Sequence, residues 1–240
     1  MKTGRRKVLV AVVLVCGFAL PSPSVAKNKQ VDGWNARIQE TVQLLRAGNA
    51  AQARATIDPV VAEMTREVDP GKQAGHAVAL ALMLRALAEA GGGDERGAAW
   101  DWQVAQQLDP SIESWDLHEF GAAGEVLARH RLSADPVPAV PTGTELEELG
   151  GTKPKIVDRG GQPAYLENAR KRHWTGAIAV AVVIDAAGRA SHPRVVQGSH
   201  EVGMVLATCE YVRGITFAPA ERDGQPIPTI YAIFMKFTLD

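Results

Sequence analysis

Thr175-Gly176-Ala177-Ile178-Ala179-Val180-Ala181-Val182-Val183-Ile184-Asp185 sets large aliphatic side chains at Ile178, Val180, Val182 and Ile184 against small ones at Ala177, Ala179 and Ala181. A period of two with β-branched content predicts a strand whose large side chains face a helix-covered core. Ala186-Ala187-Gly188 reads as a turn and Arg189 to Gln197 as the returning strand, which makes an antiparallel hairpin. Pro193 takes a backbone donor out of that second strand and so argues for a sheet edge or a bulge. Downstream, Ser199 is a candidate cap for a helix over about 200–212, with Val202, Val205, Leu206, Cys209 and Val212 on one face and Gly214 as its stop. The final strand, about 229–239, places Tyr231, Ile233, Met235, Phe237 and Leu239 on one side and Ala232, Phe234, Lys236 and Thr238 on the other. With a helix over about 164–173 ahead of the first strand, the order is α-β-β-α-β. Helices on one face of a small antiparallel three-stranded sheet make an α+β domain, here 155–240.

Upstream, Ser133 to Thr144 spaces its prolines too closely for a helix and runs into Glu145-Leu146-Glu147-Glu148-Leu149-Gly150-Gly151. Residues 134–154 therefore read as a linker, partly polyproline-like. Charge divides at the same place. Residues 27–151 hold 11 basic and 19 acidic side chains, whereas 152–240 hold 11 and 8, so two domains of different character are expected.

The segment 27–133 reads as helical throughout. Trp34, Ile38, Val42 and Leu45 recur at helical spacing before Gly48-Asn49 stops the pattern. At Asp58-Pro59 two readings stand, a kink within one helix or a new helix with Asp58 as its cap. Asp69-Pro70-Gly71 is a turn, 76–90 is apolar enough to be buried on most sides, and 115–130 supplies a closing helix. Gly93, Ala98, Trp102, Ala105 and Pro110 resemble the second half of a tetratricopeptide repeat, in which small residues let paired helices approach and an aromatic fills the gap. Arg85 and Glu89 depart from its first half. Gly48, Ala53 and Ile57 form a weaker copy 45 residues earlier, against a family period of about 34. Two degenerate copies favour a small closed bundle over a peptide-binding solenoid.

The whole chain of 240 residues carries a formal charge of −1, which leaves no electrostatic footprint for nucleic acid. Lys2, Arg5, Arg6 and Lys7 precede an apolar run from Val8 to Leu20, followed by small residues at Ser24 and Ala26. Thirteen apolar residues match a secretory signal better than the roughly 20 needed to span a bilayer, so 1–26 is expected to be a signal peptide and the protein periplasmic. An uncleaved inner-membrane anchor is the alternative.

Catalytic, cofactor and metal constellations are missing from the sequence. His118-Glu119 begins like a zinc-protease helix, but Ala122 stands where the second ligand belongs. Gly91-Gly92-Gly93 follows a helix rather than a strand, and Gly198-Ser199-His200 lacks the nucleophile elbow. His76, His130, His173 and His192 are scattered. Only Cys16 and Cys209 are present, and Cys209 reads as a small buried hydrophobe, with intermolecular pairing as the alternative. No enzymatic activity is expected.

Tyr165, Ala169, Gly176 and Ile178, then Asp185, Gly188, Ser199, Arg213, Phe217, Pro219, Ala220, Gly224 and Pro226, keep an order and spacing that resemble the C-terminal domain of TonB, the energy transducer of bacterial outer-membrane transport. Leu166 and Ile215 depart from the family's Pro and Trp. The resemblance implies a protein-binding module whose last strand offers an unpaired edge to a peptide segment of an outer-membrane receptor or another partner. Strand addition satisfies edge donors and acceptors while alternate side chains select the sequence. Tyr231, Ala232, Ile233, Phe234, Met235, Lys236 and Phe237 are the candidate edge, against the alternative of a strand internal to the sheet. Val8 to Leu20 lacks the polar His of a coupling anchor, and the spacer reaches at most roughly 70 Å, so direct energy coupling is not expected. A periplasmic scaffold or adaptor with no transducing role is the second functional reading.

Overall fold

The computed structural model describes residues 25–67, 72–162, 165–198 and 201–239. The leader up to residue 24, the Asp69–Gly71 turn and the Ser199 cap lie outside the described residues. Four helices come first among the described residues: α1 (Val25–Arg46), α2 (Ala50–Glu67), α3 (Lys72–Gly91) and α4 (Glu95–Leu108). Trp34 and Leu45 bury the face of α1 that meets α2, and Glu63 of α2 accepts from both Trp34 Nε1 and Arg37 Nη1 at 2.9 Å. The Arg37 bonds, above all, push the Glu63 carboxyl down to about 2. Of the two readings at Asp58-Pro59, the continuous helix holds: α2 runs through Pro59, with Ile57, Val60 and Val61 buried around it. That burial offsets the lost backbone bond, and Asp58 caps nothing there.

Helices α3 and α4 form the central pair. Ala98 and Ala105 let the backbones approach, and Trp102 lies fully buried. Asp94 caps α4 by accepting from the Gly97 amide at 2.9 Å. The closing helix expected over 115–130 is only half present. Residues Pro110–Ser114 and His118–Phe120 form 3-10 turns, and α5 spans Gly121–Arg129. Asp116 explains the difference, because its side chain accepts from the His118 amide two residues on and so competes with helix continuation.

The stretch 134–154 is a strap rather than an extended spacer. It contains α6 (Gly143–Glu148), opened by a capping box in which Thr142 and Glu145 bond each other's amides. Leu146 of α6 is fully buried. The strap leads to β1 (Lys155–Asp158), α7 (Glu167–Lys171), β2 (Gly176–Ile184), β3 (Ala190–Gln197), α8 (Val202–Gly214), β4 (Thr216–Ala218), β5 (Ala220–Arg222), β6 (Gln225–Ile227) and β7 (Thr229–Phe237). Helix α7 is shorter than the sequence suggested, ending where His173 takes a positive φ of 52°. The cap position of α8 is Glu201, which makes no side-chain cap bond.

The main sheet is antiparallel with the order β3-β2-β7, so the hairpin and the last strand meet on β2. Smaller pairs join β1 to β4 and β5 to β6. Gly188 closes the hairpin at φ 76°, and a Cβ there would overlap the Phe217 carbonyl. Ile178, Val180, Val182 and Ile184 from β2 share one apolar cluster with Met204, Val205 and Cys209 of α8. The same cluster continues into Leu82, Leu87 and Trp102 of the helical half. The two halves therefore meet across a packed junction, tight enough that a Cβ on Gly203 of α8 would collide with the Thr65 carbonyl of α2.

Candidate functional site

The residues Tyr231 to Phe237 all lie in β7, at one end of the strand order. Its inner edge pairs with β2 in unbroken register, from Ile184↔Thr229 to Gly176↔Phe237. Its outer edge meets the strap, where the Ile230 amide donates to the Pro141 carbonyl at 2.9 Å and Thr142 bridges Ile230 in parallel. That bond fixes a parity. In a strand the N–H and C=O of one residue point to one side and those of the next to the other. If Ile230 points outward, so do Ala232, Phe234 and Lys236, while Tyr231, Ile233, Met235 and Phe237 bond inward to β2.

Side chains follow the alternation in the sequence. Ile233 and Phe237 are buried and Tyr231 and Met235 half-buried on the core face, whereas Phe234 is 67% exposed and Lys236 exposed on the opposite face. Phe237 is wedged between Tyr165 and Trp174, with ring centroids at 5.9 and 5.8 Å, and Tyr231 meets Phe217 edge-on at 6.0 Å. These contacts hold the strand from its core side. The outer side thus presents three successive outward peptide groups, an exposed aromatic ring and a cation.

The other edge of the sheet, β3, is covered. Gln107 of α4 donates from Nε2 to the Pro193 carbonyl at 2.8 Å and accepts the Val195 amide on Oε1 at 2.9 Å. Pro193 sits, as its chemistry requires, in an edge strand with irregular register. Two further groups tie the halves together. Asp135 of the strap accepts from Gln103 at 3.0 Å and pairs with His130 at 2.7 Å and His192 at 3.1 Å. Although its burial works the other way, the bonds from the two histidines hold the Asp135 carboxyl below its ordinary range. Arg85 bonds both Asp101 and Glu210, and Arg213 reaches Glu89 at 2.8 Å and Asp101 at 3.2 Å. His130 and His192, scattered in the sequence, converge with Asp135, Trp100 and Arg96 on a cleft of about 320 Å³.

The sequence pointed to β7 through its alternation but missed its strap, because the Pro141 contact depends on chain return. The Thr-x-x-Glu spacing of Thr142 and Glu145 was the available signal for it. Gln107 carries no signal at all, since glutamine on a helix face is ordinary. Among the described residues no group of His, Cys, Asp or Glu is placed to hold a metal ion. Burial pushes the Cys209 thiol up to about 12, leaving it without thiolate character. His118 and Glu119 lie in a 3-10 turn, where Glu119 pairs with Arg46.

Residues 161–239 match the family model described as Gram-negative bacterial TonB protein C-terminal. The match spans the sheet and the helices packed on it, roughly a third of the 240 residues, and leaves the helical half outside. No curated protein and no solved structure matches the chain.

Proposed function

We propose that this chain is a non-enzymatic protein of the cell envelope that captures a partner polypeptide by strand addition along β7, as a TonB-type C-terminal domain acting in outer-membrane transport. The observation that carries the reading is the outward edge at Ala232, Phe234 and Lys236, next to the strap bond at Ile230. An added strand would satisfy those peptide groups, lay an apolar residue on Phe234 and face Lys236 with an acidic one. Support for the transport context comes from the match of residues 161–239. Among the described residues no helix is long and apolar enough to cross a membrane. The signal-like leader supports export to the periplasm.

The test is binding of the full chain to synthetic ten-residue segments from outer-membrane receptor N-termini. Phe234→Pro removes one outward donor and the exposed ring together. Loss of binding in a variant that melts like the parent supports the reading, and unchanged binding sinks it. Intact mass of the periplasmic and membrane fractions then separates a free periplasmic binder from an anchored transducer.

A further inference from the structure

Gln107 makes an unusual contact for a helix side chain. Its carboxamide has two N–H donors and one carbonyl acceptor; besides donating to the Gln103 carbonyl of its own helix at 2.9 Å, it donates to Pro193 and accepts from Val195 on the backbone of β3. These residues are two apart and present their outward groups on the same side, so the amide reproduces the pair of bonds that a neighbouring strand would supply. The N–H that Pro193 lacks would also point outward, where its loss costs no bond to β2. The position of α4 on this edge is fixed on both flanks. Arg194 of β3 donates to Gln103 Oε1 at 3.2 Å, His192 of β3 pairs with Asp135, and Arg213 of α8 anchors to α3 and α4.

We propose that the helical half is a built-in cover for the β3 edge, with α4 in the place of a fourth strand, and that the occupant it keeps out is the β3 edge of a second copy. An antiparallel edge is self-complementary about a two-fold axis, so a copy of the same chain is the partner always present at matching register. Val196, 60% exposed beside Val195, supplies the apolar contact such a pairing needs. Covering β3 leaves β7 as the edge for an added strand; this last consequence alone rests on the proposed function.

The test uses the full chain. Gln107→Leu keeps the side-chain volume and removes both bonds, and hydrogen exchange at the Val195 amide is expected to quicken at least about tenfold, the equivalent of one lost hydrogen bond. A folded variant with Val195 as slow as in the parent overturns the proposal. Adding Arg213→Glu, which places a carboxylate against Glu89 and Asp101, loosens the junction, and sedimentation is then expected to show a dimer. Val195→Pro in that background removes the outward donor without touching the β2 ladder and is expected to restore the monomer. A double variant that stays monomeric, or a dimer that survives Val195→Pro, overturns the proposal, the latter by showing non-strand association. If the double variant fails to fold, the exchange measurement on Gln107→Leu decides. Phe234→Pro leaves the dimer intact, which keeps this result separate from any failure of the β7 reading.

Discussion

The Arg213 guanidinium, at the end of α8, reaches 2.8 Å across the junction to the Glu89 carboxylate of α3, whose side chain is only 1% exposed. Burial first, and the nearby Asp101 charge second, push the Glu89 carboxyl up to about 7, against the pull of Arg213 and Arg85. Its second oxygen, Oε2, is buried with no hydrogen-bond partner among the described residues.

A pH dependence follows with a definite sign. Between an unfolded value of 4.5 and a folded value of about 7, the folded protein keeps a proton that the unfolded chain has released. This contribution is full below pH 4.5 and is lost as pH rises through 7, by up to about 3 kcal/mol. Urea melts from pH 5 to 8 are expected to show stability falling, and Glu89→Gln to flatten the slope.

Proline tolerance along β7 is expected to alternate. At Ala232, Phe234 or Lys236 the missing N–H points outward, and the cost is about 1 kcal/mol or less. At Ile233 or Met235 it removes a bond to β2 within a buried face and costs about 3 kcal/mol or more. Thermal melts by circular dichroism across the five variants check this, and equal tolerance would refute the assigned parity.

Gly203 has no room for a side chain, because a Cβ would enter the Thr65 carbonyl. Gly203→Val is expected to lower stability by about 1–3 kcal/mol by pushing α8 from α2. Gly33, with nothing near its missing Cβ, is the matched control, and Gly33→Ala in α1 is expected to leave stability equal or slightly raised.

Cys209, buried with its thiol pushed up to about 12, is expected to resist alkylation at pH 8 in the native protein and to react fully in guanidinium. Reaction of the folded protein at the rate of a free thiol would contradict its placement. The same burial argues against the intermolecular pairing that a lone thiol in an exported chain allows.

The core face of β2 and the inward face of β7 were legible because strand periodicity is local: Ile178, Val180 and Val182, or Ile233 and Phe237, alternate whatever lies beyond them. Pro193 likewise announced an edge or bulge from its missing donor alone. The helices α1 to α4 followed from spacing and stops, whereas Asp58-Pro59 stayed open because kink and break differ only in what surrounds them. The docking of the strap was not legible, since its prolines describe the chain before Thr142 and say nothing of Leu146, which is buried by contacts distant in sequence.

By itself, then, the sequence determined the α+β character of the C-terminal part, the two faces of its strands and the helical nature of what precedes it, all properties set within a few residues. Tertiary structure alone decided which sheet edge is covered and which is open. Gln107 meets Pro193 across 86 residues and Pro141 meets Ile230 across the whole C-terminal domain, so edge availability depends on long-range docking. Hydrogen-bond satisfaction at an edge is a property of neighbours in space, and no local pattern encodes it.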